Sequence, residues 1–236
     1  GIDDFPPFHA MKATPRFSFA RTTLARRLYG FALTGLLVLP AAHASDTPIA
    51  LVRETFQATR LGGDATQLEA LPPWLRTRQV SAEERPVLNA YHAASEAMQA
   101  GQRWNPLTKL TLAHRAIAAL DLALKDVHTE ATHAPPARDL PAEAEVQLIA
   151  LNTFSQLPTF LHTRPRAHTL LLQLHTHPDF GQWPADFRAA IYCAAVRLHR
   201  AEQVPLVAQQ ALQQAKALAR HPLTRQEVAQ LEAVPL

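Results

Sequence analysis

From residue 105 onward the chain follows a helical rhythm. Leu110, Ala113, Ile117, Leu120, Leu124 and Val127 recur at alternating steps of three and four. That spacing makes one apolar stripe on a 3.6-residue period, and such a stripe needs a partner helix to cover it. Asn105-Pro106 precedes the stripe and predicts its start, because proline loses nothing in a first helical turn. The same punctuation recurs along the chain. Thr47-Pro48 opens a helix with Ile49, Val52 and Phe56 on one face, ended by Gly62-Gly63. Asp64 caps a short turn carrying Leu68 and Leu71, which Pro72-Pro73 stops. Ser81-Ala82-Glu83-Glu84 is a capping box ahead of a helix bearing Val87, Tyr91, Ala94 and Met98 and closing near Gly101.

Past the 105 helix, residues 128–139 (HTEATHAPPARD) form a polar, proline-bearing loop. A long helix is predicted from Pro141, with Val146, Ile149, Leu151 and Phe154, ending at Pro158. Others start at Pro165 (Leu170, Leu171, Leu172, Leu174), at Trp183-Pro184 (Phe187, Ile191, Ala194, Leu198) and at Pro205 (Ala208, Ala211, Leu212, Ala215, Leu218). A second capping box, Thr224-Arg225-Gln226-Glu227, opens a last short helix with Val228 and Leu231. The expectation is an all-α domain of eight or nine helices. Short connections make neighbours antiparallel, as an α-solenoid-like stack of tetratricopeptide-like hairpins or an irregular bundle. Ala113, Ala194, Ala211 and Ala215 allow close helix approach. Predicted starts at 106, 141, 165, 184 and 205 give no fixed period, which a true repeat requires.

The first 44 residues follow a different logic. Residues 1–10 precede the first methionine and read as a remnant or a start set too far upstream. From Met11, five basic residues and no acid lead into the apolar run Leu28–Leu39, closed by Pro40 and Ala42-His43-Ala44. Basic head, apolar middle and small-x-small exit are the parts of a secretory signal peptide over 11–44. The run is too short to span a bilayer. Position 45 is Ser, so there is no cysteine to lipidate. The sequence therefore predicts an exported bacterial protein, periplasmic or secreted, with one domain over 45–236. Membrane contact is expected only through the leader, if that stays uncleaved.

Composition then narrows the chemistry. Five of the 23 basic and two of the 20 acidic residues fall in the first 44, leaving 18 of each in the rest. The predicted mature chain is formally neutral, so no whole-protein basic footprint for nucleic acid exists. Neither GxGxxG nor GxxxxGK[ST] occurs, which removes both nucleotide motifs. No GxSxG elbow is present. The lone Cys193 sits among Ile191, Ala194 and Ala195 and reads as a buried, inert thiol.

Histidine is the unusual residue, densest over residues 161–180. His168, His175, His177 and Asp179 make a candidate zinc or copper set, although their spacing matches no established site. A histidine in a last helical turn is also favourable against the helix dipole without metal. No other cofactor is expected. Trp74, Trp104 and Trp183 stand beside prolines at helix corners. With Arg164 and Arg166 they are the candidate lining of a groove for a partner or ligand. The functional expectation is a non-catalytic protein that binds a protein or peptide of the cell envelope. The alternatives are a metal-binding protein or enzyme using the 161–180 histidines, and a periplasmic small-ligand binder.

Overall fold

The computed structural model describes residues 48–131 and 140–234. The leader expected over 11–44, the segment before it, and residues 132–139 of the expected loop lie outside the described residues. The described residues form nine α-helices and no strand: α1 (Pro48–Gly62), α2 (Ala65–Arg76), α3 (Arg85–Gln102), α4 (Pro106–Ala131), α5 (Ala142–Gln156), α6 (Arg164–His175), α7 (Ala185–Ala201), α8 (Pro205–Leu218) and α9 (Pro222–Ala233). Short 3-10 turns, Thr159–Leu161 and Phe180–Gln182, fill the corners before α6 and α7. The described part of the chain is all-α, as the pattern predicted.

Most helix starts obey the punctuation. Asp64 accepts from the backbone N–H groups of Thr66 and Gln67 at the head of α2. Asn105 does the same for Leu107 at the head of α4, at 2.9 Å. The Ser81–Glu84 box forms reciprocally, although regular helix begins only at Arg85, before Pro86. Gly63 takes a positive φ of 65°, the left-handed backbone that glycine adopts without strain, and so ends α1.

Three expectations are corrected. Pro72-Pro73 does not stop α2, which continues to Arg76. Each proline deprives a carbonyl four residues back of its N–H partner, here Leu68 and Glu69. The Gln99 side chain of α3 supplies the missing donor, its Nε2 lying 3.4 Å from the Leu68 carbonyl and 3.1 Å from that of Glu69. The loop set at 128–139 begins later, because α4 runs on to Ala131. The second capping box is not one: α9 starts at Pro222, and His221 Nδ1 accepts from the Leu223 N–H instead. Glu227 is buried and serves another purpose.

The helices pair as hairpins, α3 with α4, α5 with α6 and α7 with α8, and α9 closes the series. Helices α3, α5, α7 and α9 touch in sequence as an inner row, backed by α4, α6 and α8. Alanines set the close spacing. On α4 the fully buried line is Ala113, Ala116, Leu120, Ala123 and Val127, while Leu110, Ile117 and Leu124 flank it half-buried. The larger side chains are therefore displaced to the sides of a seam of small ones. Ala211 and Ala215 of α8 likewise meet Ala189, Cys193 and Val196 of α7. Helix α1 touches both the first and the last helix of the inner row, α3 and α9, so the row curls around it. Among the described residues no helix is long and apolar enough to cross a membrane.

Candidate functional site

Two buried carboxylates hold α1 against the inner row. Glu145, in the first turn of α5, has a side chain only 2% exposed. Arg53 of α1 grips it with two N–H groups, at 2.8 and 3.1 Å, and the Tyr91 hydroxyl donates to it at 2.7 Å. Burial and the neighbouring Glu145 charge push the Tyr91 phenol well above its ordinary range. Burial alone would lower the Arg53 guanidinium, but the hydrogen bond and charge of Glu145 outweigh it and hold it up. Phe56 of α1 packs on the Tyr91 ring, with centroids 4.9 Å apart. The apolar and ionic contacts thus lock the same turn of α1.

The second carboxylate is Glu227 of α9, also 2% exposed. Arg60 of α1 reaches it at 2.8 Å, Arg197 of α7 bonds it directly, and Gln57 donates at 3.3 Å. Arg197 also donates to Asn152 of α5 at 3.1 Å. Four helices are thereby joined through one acid. Burial opposes its ionisation, but the charges and hydrogen bonds of Arg60 and Arg197 prevail and hold it down to about 2. An acid so held donates no proton near neutral pH.

Between α1 and the row lies a cleft of about 710 Å³. Its apolar walls come from Phe56, Met98, Leu148, Ile149, Phe187 and Leu223. Arg53, Arg60, Glu145 and Glu227 also face it, and Asn152 and Thr153 add neutral polar groups. At one end, Asp186 of α7 accepts the backbone N–H groups of Arg220 and His221, at 2.7 and 2.8 Å. Burial opposes its ionisation, yet those bonds and the Thr224 hydroxyl outweigh it and lower its pKa. The chemistry on offer is a mainly apolar surface flanked by fixed, mutually compensated charges.

The residues singled out from the sequence lie elsewhere. Trp74 is half-buried and carries the Arg78 guanidinium 4.7 Å above its ring. Trp183 is buried, packed edge-on against Phe180 and Phe187. Trp104 is 93% exposed. Arg164 donates to the Ala201 carbonyl at 3.0 Å, and Arg166 lies over the Phe154 ring and pairs with Asp121. None of the five lines the cleft.

The histidines are separated as well. His168 bonds Glu202 and faces the His199 ring, while His175 lies 3.3 Å from the Tyr192 hydroxyl. His177 stacks on Trp183, and its Nδ1 accepts the Asp179 N–H. Among the described residues no three His, Cys, Asp or Glu side chains are grouped to hold a metal ion. Cys193 is buried, and burial together with the Glu227 charge pushes its thiol up to about 12. Comparison with family models, curated proteins and solved structures finds no match to this chain.

Arg53, Tyr91, Glu145 and Glu227 were not marked as site residues by the sequence. Tyr91 reads there as a core position and Glu227 as a cap. A weak signal existed: Arg53 and Arg60 lie seven apart on the face that also carries Phe56, a charged edge to an apolar stripe.

Proposed function

We propose that this chain is an exported, non-catalytic binding protein of the bacterial envelope. In this reading, its cleft beside α1 takes an apolar segment of a protein or peptide partner. The observation that carries the proposal is the cleft itself, walled by apolar side chains from separate helices and bordered by acids already matched to arginines. A ligand there gains burial of apolar surface, and its own polar groups meet Asn152, Thr153 and the arginine rim. The leader-like sequence over 11–44 supports export.

The cleft volume also falls within the range of small-molecule sites, which favours a second reading as a small apolar ligand binder. One experiment separates them. A photo-reactive residue at Met98, in the cleft, is compared with one at Leu122, exposed on α4. Crosslinking to a polypeptide from Met98 alone supports the first reading. A small bound mass by native mass spectrometry, displaced by the bulky variant Met98→Trp, supports the second. Crosslinks of equal yield at both positions, with no small bound mass, would sink both.

A further inference from the structure

The three hairpin tips end on one edge of the stack, and their levels follow from cross-contacts. Tyr91 meets Glu145, and eleven residues, about 16 Å of helix, separate each from the last residue of its helix, Gln102 or Gln156. Arg197 meets Asn152, and each stands four residues before its helix end, Ala201 or Gln156. Arg164, at the start of α6, bonds the Ala201 carbonyl directly. The turns after α3, α5 and α7 are therefore level.

That edge gathers exposed apolar groups. Ten large apolar side chains are exposed among the described residues, and six belong to these tips or to the first helical turn beyond them: Trp104 (93%), Leu107 (76%), Phe160 (63%), Val204, Leu206 (73%) and Val207. Scattered surface apolar residues need no explanation; six of ten on one edge do. The tips are also cationic. Segments 102–109, 157–166 and 199–207 carry Arg103, Lys109, Arg164, Arg166 and Arg200 against the lone acid Glu202. Arg166 is matched by Asp121, and Arg103 approaches exposed Glu69 only to 3.9 Å. Backbone strain sits here too. The two non-glycine residues with positive φ among the described residues are His162 and Gln203, at the tips after α5 and α7.

Separate apolar knobs with cations between them do not build the continuous packed patch of a protein interface. They suit a soft apolar medium beneath an anionic surface, where tryptophan favours the boundary and arginine and lysine reach phosphates. We propose that the α3–α4, α5–α6 and α7–α8 tips dock the protein peripherally on a bilayer containing anionic lipid. Trp104, Phe160 and Leu206 enter the headgroup boundary. The cleft reading is neither needed for this nor affected by it.

The test uses the full chain. Because residues 28–39 are themselves apolar, the readout is placed at the tips. A Trp104→Cys variant is labelled with an environment-sensitive fluorophore, and a Leu122→Cys variant is the control; buried Cys193 stays unlabelled. Vesicles of phosphatidylcholine with and without phosphatidylglycerol are added at low and high salt. The expected result is a blue shift at position 104, not at 122, that requires phosphatidylglycerol and weakens in salt. Adding Phe160→Ser and Leu206→Ser should cut the lipid dependence of that shift about tenfold or more, while Leu172→Ser, on an exposed α6 position, leaves it unchanged. No shift at 104, equal shifts at 104 and 122, or a shift at 104 produced by protein concentration without vesicles would overturn the proposal. The last outcome would assign the edge to a second copy of the chain.

Discussion

At the scale of single residues, the structure depends on side chains that repair what the backbone lacks. Gln99 is the clearest: one amide serves the two carbonyls that Pro72 and Pro73 leave without donors. Gln99→Ala should lower stability by about 1–2 kcal/mol in urea unfolding, and Gln99→Glu, which removes the donor, should lower it at least as much. Glu227 carries more. Glu227→Gln leaves Arg60 and Arg197 facing each other without their shared anion, and a loss of about 3–5 kcal/mol is expected. The same measurement on Glu232→Gln, whose Lys216 pair is exposed, should show a change below about 1 kcal/mol. The sequence displayed Gln99 and Glu227 plainly but gave no sign of these roles. A glutamine on a helix and a glutamate three residues after a threonine look the same wherever the helix docks.

At the scale of elements, α1 is the piece whose placement shapes the site. It is joined to α2 through Gly62 and Gly63, which differ in kind. Gly63 has φ of 65°, whereas a Cβ on Gly62 would meet nothing closer than the Gln67 Oε1 at 4.0 Å. Gly63→Ala should therefore cost about 1–2 kcal/mol, and Gly62→Ala should stabilise by a few tenths to about 1 kcal/mol. Opposite signs at adjacent positions in thermal unfolding would verify this exit from α1; like signs would refute it. Most element boundaries were legible beforehand, because caps and first-turn prolines act over three or four residues. The extension of α2 through two prolines was not, since its compensation comes from Gln99, some thirty positions along the chain.

For the whole molecule, buried ionisation ties the fold to pH. Glu227 has an ordinary value of 4.5 and is held at about 2 when folded. Its folded value is the lower one, so its stabilisation is complete above about 4.5 and is lost as pH falls through about 2. The loss is on the order of 3 kcal/mol. Asp186, also lowered, acts in the same direction. Burial lowers His92 and His199 below 6.5, so protonating them in the unfolded chain begins the decline below that pH. Urea midpoints should fall from pH 7 to pH 2.5, and Glu227→Gln should flatten the part below about 4.5. A midpoint constant across that range would contradict the Glu227 assignment.

By itself the sequence determined that the described part of the chain is all-helical, where most helices begin, and which face of each is apolar. Those properties rest on 3.6-residue periodicity and on hydrogen bonds spanning a few positions. Tertiary structure alone decided the curl of the inner row, the cleft beside α1 and the common level of the hairpin tips. These depend on pairs such as Arg53 with Glu145 and Gln57 with Glu227, 92 and 170 positions apart. At such separations no local pattern marks which carboxylate is buried against which cation, and only the docked helices bring them together.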